Sequence, residues 1–108
     1  MPELSLAEIE LAGENHVELW LARNGYTNIE KEILPSKETE IKATGTVENI
    51  LVQMRTFLEP HRPFKLSEYA IDKFTRRAVN LSRVAYIAYI VIDNNKDLVG
   101  EINWERLS

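Results

Sequence analysis

Nine residues, Val84-Ala85-Tyr86-Ile87-Ala88-Tyr89-Ile90-Val91-Ile92, constrain the fold of this chain more than any other stretch. They form a nearly unbroken run of apolar, β-branched and aromatic side chains. A strand with one wet face alternates polar with apolar residues; this one does not, so it reads as a strand covered on both faces. The neighbouring segments supply the cover. Ile71, Phe74, Ala78 and Leu81 recur at helical spacing, Ser67 is a good N-cap and Leu66 with Ile71 sit in staple positions, which predicts a helix over about 68–82. Before it, Pro60 and Pro63 close a second apolar run at 50–58. Strand, helix and apolar strand make a parallel crossover, expected to be right-handed.

The N-terminal half reads differently. Ser5 and Glu8 have the capping-box spacing, Leu4 and Ile9 are placed as a staple, and Asn24-Gly25 is a natural stop, so a helix is expected over about 5–24, with Gly13 as its point of breakage or kinking. Tyr26–Leu34 is a weakly patterned strand and Pro35-Ser36-Lys37 a turn. Glu38–Ala43 alternates polar with apolar residues and puts Glu40 and Lys42 on one face. Gly45–Asn49 leads as a hairpin-like connection into 50–58, so three strands should form an antiparallel meander. After the turn-rich Asp93–Asp97, a last strand is expected over Leu98–Trp104 with 105–108 as a tail. The expected fold is α/β: a mixed central sheet with helices on both faces, in αβββαββ order.

Composition excludes several chemistries. There is no Cys, hence no disulfide, zinc-thiolate site or thiol nucleophile, and His16 and His61 are too few for a His-rich metal cage. No phosphate-binding Gly-rich loop, Gly-x-Ser-x-Gly elbow or His-Glu-x-x-His is present. Met1-Pro2-Glu3 opens without the basic and apolar segments of a signal peptide, and no apolar run reaches the length of a membrane span, so the expectation is a cytoplasmic protein that does not enter membranes. The net charge of −4 is uneven: residues 1–54 hold ten acids against four bases, residues 55–108 seven acids against nine bases. Arg62, Lys73, Arg76 and Arg77 belong to the only basic segment, 55–83, that could meet a phosphate backbone; ordinary solvated surface is the alternative.

Within the apolar run Ile50–Phe57, Gln53 and Arg55 stand two residues apart and point the same way. Gly13-Glu14, Leu21, Gly25-Tyr26, Glu40-Ile41-Lys42-Ala43 and Ile50-Leu51-Val52-Gln53-Met54-Arg55, with the helix and apolar strand that follow, resemble the PD-(D/E)XK nuclease superfamily, most closely its Mrr-like restriction endonuclease branch. The resemblance spans roughly residues 13–92. It implies that residues 1–108 form one restriction-endonuclease-like domain and that the activity is Mg²⁺-dependent hydrolysis of DNA. By that resemblance Glu14 is the helix acid, Glu40 the strand acid and Gln53 a carbonyl ligand, these three holding the metal, while Arg55 stands in for the lysine that attends the attacking water. Two positions depart from the pattern. Glu40 is one methylene longer than the family's aspartate, and an arginine, always protonated, cannot exchange a proton as a lysine can. Lys42, on the face of Glu40, is the candidate to take over the lysine's part.

The residues also permit a plainer reading: Glu14 as one member of an acidic helix face, Glu40 and Arg55 as a cross-strand ion pair, and the chain as a non-catalytic interaction module, homodimeric through its last strand. On that reading Glu14, Glu40 and Gln53 are dispersed or locked in salt bridges, and an apolar patch surrounds Trp104.

Overall fold

The computed structural model describes residues 4–108. Met1-Pro2-Glu3, on which the reading of an absent signal peptide rests, lies outside the described residues. Helix α1 (Leu6–Arg23) starts on the expected box: Ser5 Oγ accepts from the Glu8 N–H at 3.1 Å and the Glu8 carboxylate accepts from the Ser5 N–H at 3.2 Å. That amide bond from Ser5 holds the Glu8 carboxyl below its usual range. The helix ends at Asn24, whose N–H reaches the Trp20 and Leu21 carbonyls, and Gly25 turns away at a φ of +86°.

The helix expected over about 5–24 runs without a break through Gly13. Gly13 has a packing role instead: a Cβ built there would lie 1.7 Å from Thr56 Oγ1, so the missing side chain lets the helix backbone rest directly on the sheet.

Strands β1 (Thr27–Ile33), β2 (Thr39–Thr44) and β3 (Asn49–Leu58) form the antiparallel meander. Helix α2 (Glu68–Asn80) then returns the chain to β4 (Val84–Ile92), which runs parallel to β3 from Ile50↔Val84 to Leu58↔Ile92. Strand β5 (Asn103–Arg106) closes a five-stranded mixed sheet in the order β1-β2-β3-β4-β5. The fold is therefore α/β with a mixed sheet and two helices.

The unbroken apolar character of β4 is explained by its surroundings. Ala88, Ile90 and Ile92 join Ala12, Val17 and Leu21 of α1 in one core, whereas Ala85, Ile87 and Tyr89 join Phe74 and Ala78 of α2 in the other. Each fully buried Ile, Leu or Val in these layers contributes on the order of 1.5–3 kcal/mol.

The last strand corrects the sequence reading. Leu98 makes only an isolated bridge to Ile92, Gly100 adopts a left-handed φ of +74°, and ladder pairing resumes at Asn103, so Glu105 and Arg106 are strand where a tail was expected. A left-handed residue cannot continue an extended strand, and it falls inside the alternating stretch. Trp104 is half-buried, with its ring 4.8 Å from Trp20 and 6.2 Å from Tyr86, so its apolar surface is used within the chain. Among the described residues no helix is long and apolar enough to cross a membrane.

Two phenols on opposite faces of β4 tie it to its surroundings. The Tyr86 hydroxyl donates to Glu48, which also pairs with Arg106 at 3.3 Å, and this hydrogen bond raises the Tyr86 phenol above its ordinary value. Burial, with Glu105 nearby, raises Tyr89. A folded-state pKa above the unfolded one favours the protonated, folded form, so this contribution is complete below about pH 10 and is lost as pH rises through the folded values. Denaturant midpoints should therefore fall above about pH 10, and the fall should be shallower in a Tyr86→Phe/Tyr89→Phe protein. An equally steep alkaline fall in that variant would assign the titration elsewhere.

Candidate functional site

The site is organised by the point at which β2 and β3 part company. Their ladder ends at Glu40↔Gln53, yet β3 continues to Leu58, paired from there only with β4. Strand alternation sets the faces. Ile41 and Val52 point into the core under α1, so Glu40 and Gln53 point toward α2.

On the α2 face the Glu40 carboxylate is almost completely buried and accepts from Arg77 Nε at 2.8 Å. That hydrogen bond is the main reason the Arg77 guanidinium is held above its ordinary value. Gln53, next to Glu40, donates its side-chain amide to Glu38 at 3.1 Å. Lys42 reaches Glu32 on β1 at 3.6 Å. Arg55 lies beyond the end of β2 and forms no cross-strand pair with Glu40; its guanidinium sits over the rings of Phe64 at 5.2 Å and Phe57 at 5.8 Å. The cross-strand pairing expected for Glu40 and Arg55 thus gives way to Arg77, because Gln53 occupies the position opposite Glu40 and α2 places a guanidinium above it.

Glu14, also buried, belongs to the other side of the sheet. It accepts from Lys31 Nζ at 3.1 Å, and Lys31 stands opposite Ile41, a residue of the α1 core. The sheet therefore separates the Glu14 carboxylate from that of Glu40.

Two grooves flank the Gln53–Glu38 hydrogen bond. The first, of about 630 Å³, lies between α1 and the free part of β3 and is lined by Glu10, Glu14, Lys37, Glu38 and the run Gln53–Phe57. The second, of about 660 Å³, lies between α2 and the β1–β2 turn, with Glu40, Arg77, Lys73 and Arg76 on its walls. Glu14 and Arg55 thus line the first groove and Glu40 the second, with Gln53 on the wall of both. Glu38, which sequence reasoning treated only as the start of a strand, is the acid common to both. Its signal was the i, i+2 spacing to Glu40, which puts the two on one strand face. Phe64, in the proline-rich loop, had no such signal.

The basic segment is partly neutralised from within. Arg76 pairs with Asp72 at 3.1 Å one turn away and Arg77 with Glu40, whereas Lys73 and Arg62 have no ion pair among the described residues. Among those residues, too, no three His, Cys, Asp or Glu side chains converge on a point that could hold a metal ion. Glu14 and Glu40 each spend their charge on a cation, so the donor set does not fit the octahedral oxygen shell that Mg²⁺ requires. Compared with known proteins, the chain matches no family model and no curated protein sequence.

Proposed function

We propose that this chain is a non-catalytic interaction domain on a restriction-endonuclease-like scaffold. The observation that carries the reading is the Glu40–Arg77 pair: the carboxylate at the family's metal-binding strand position is buried and bonded to a guanidinium at 2.8 Å. Freeing that carboxylate for a metal would break a charge-assisted hydrogen bond and strand Arg77 beside a cation. The pairing of Glu14 with Lys31 and the seating of Arg55 on two phenyl rings support the same reading. An arginine held there can steady an anion but cannot serve as a proton-exchanging lysine.

A Mg²⁺-dependent nuclease acting on DNA is the second reading, favoured by the shared groove of Glu14, Gln53, Arg55 and Glu38. Incubation with supercoiled plasmid and short duplexes in Mg²⁺ or Mn²⁺ decides between them. The interaction-domain reading expects no cleavage. It also expects only weak duplex binding, lost by about 0.15 M salt, since Arg76 and Arg77 are already paired. Metal-dependent cutting that Glu40→Ala abolishes would establish the nuclease instead.

A further inference from the structure

We infer that the free edge of β3 at Met54–Leu58 accepts an added strand from a partner, and that the occupant is an extended segment bearing basic residues. The inference deepens the interaction-domain reading and rests on it.

Three observations converge. First, the edge carries no neighbouring strand, and among the described residues the turn bond from the His61 N–H to the Leu58 carbonyl at 2.9 Å occupies only its far end. The β2 ladder stops at Gln53 while the β4 ladder continues to Leu58, and among the described residues no backbone hydrogen bond joins the 34–38 turn to β3. That turn closes on itself through Leu34 N–H to the Glu38 carbonyl at 2.8 Å. Alternate residues of Met54–Leu58 therefore direct main-chain N–H and C=O groups into the groove.

Second, the groove follows this edge. Its wall contains five consecutive residues, Gln53 to Phe57. Neighbouring side chains of a strand point to opposite faces, so a cavity on one face would touch every other residue; contact with all five places it along the edge. Every residue from Met54 to Leu58 is partly exposed.

Third, the edge lacks the usual protection. Natural sheets blunt free edges with charges, bulges or proline. The outer strand β1 follows that rule, with Glu30, Lys31 and Glu32 and a register shift after Thr27. The free part of β3 has Met54, Thr56, Phe57 and Leu58, and its one charge, Arg55, is drawn onto two aromatic rings. Such an edge suits main-chain pairing with side-chain selection at alternate positions.

The charge of the groove selects the occupant. Glu10 and Glu38 are both exposed and have no ion pair among the described residues; they approach from the helix wall and the turn wall. Glu14 adds a third carboxylate, paired with Lys31, and the wall holds two cations, Lys37 and an Arg55 that is drawn onto the Phe57 and Phe64 rings. Lysine or arginine on either face of an added strand would meet one of the two free carboxylates.

The test pans the whole protein against a displayed library of random peptides about six to eight residues long, the length of an ordinary strand. Enriched sequences should alternate apolar residues with Lys or Arg and lack proline. The synthesised peptides should slow hydrogen exchange at amides within Met54–Leu58. N-methylation of alternate peptide amides should weaken binding by about tenfold or more, since it removes ladder bonds without changing side chains. Glu10→Lys combined with Glu38→Lys should cost a basic peptide about tenfold, and circular dichroism of that variant verifies its fold.

No enrichment, protection at other amides, or tolerance of N-methylation would overturn the edge as the site. Enrichment of acidic sequences would overturn the stated chemistry. Self-association that protects the same amides would replace the basic partner by a second copy of the chain. Plasmid cleavage is read separately: cutting defeats the interaction-domain reading even where peptides bind, and absence of both defeats this inference alone.

Discussion

Gly13→Ala destabilises the protein by about 3 kcal/mol, against the usual sign for a glycine-to-alanine change within a helix, and this follows from one contact. At a solvent-facing helical position the change stabilises by up to about 1 kcal/mol, because alanine restricts the unfolded chain and favours helix. At Gly13 the new methyl carbon would lie 1.7 Å from Thr56 Oγ1, 2.8 Å from its Cβ and 2.9 Å from its Cγ2. Rotating Thr56 does not relieve the clash, since its Cβ is fixed to the β3 backbone. The helix must lift from the sheet and loosen the packing of Ala12 and Val17 in the α1 core. For a domain of this size the cost corresponds to a fall of roughly 10–20 °C in Tm. Thr56→Ala in the same chain should recover part of the loss by removing the hydroxyl and methyl. A stabilised Gly13→Ala protein would show that the helix does not rest on β3 at this point.

Arg77→Ala is expected to cost about 2–3 kcal/mol. Removing one partner of a buried pair leaves a desolvated charge, for which about 3–5 kcal/mol is typical, and the lower figure reflects a guanidinium that is itself 39% exposed. Glu40→Gln on the Arg77→Ala background should restore most of the loss, because a neutral amide costs less to bury than a carboxylate. Replacing both residues by methionine should come close to wild type, as is common for buried pairs exchanged for apolar side chains. Chemical denaturation of wild type, Arg77→Ala, Glu40→Gln and the Glu40→Gln/Arg77→Ala double variant closes the cycle and gives the coupling between the two positions. Additive losses would mean that Glu40 and Arg77 act independently, and the main support for a non-catalytic site would fall.

These two positions show where local reading reached and where it stopped. The capping box at Ser5 and Glu8, the Gly25 stop and the Ser67 cap were legible because each is a contact within one turn of chain. The double-sided burial of β4 was legible from its lack of alternation, and the parallel β3–β4 pairing followed from the helix between them. The role of Gly13 was not legible. In sequence it reads as a weak helix residue, and its opposite sign comes from Thr56, forty-three positions further along the chain. The last strand was misplaced for a related reason: Gly100 takes a left-handed conformation within an otherwise alternating stretch.

The candidate site divides in the same way. Strand periodicity determined that Glu40 and Lys42 share a face, as do Gln53 and Arg55, and helical spacing placed Glu14 on α1; the Glu40↔Gln53 register then put both pairs on one side of the sheet. Those are properties of one element or of two neighbouring strands, governed by the 2.0 and 3.6 residue repeats. Only the tertiary structure decided what each charge meets. It set Arg77 over Glu40, Lys31 against Glu14 and two phenyl rings beneath Arg55, and it ended β2 early enough to leave Met54–Leu58 with β4 on one edge and no strand on the other. Ion pairs depend on distances of a few ångströms between groups far apart in the chain, and ladder length depends on where two strands diverge. Neither quantity has a local repeat from which it could be read.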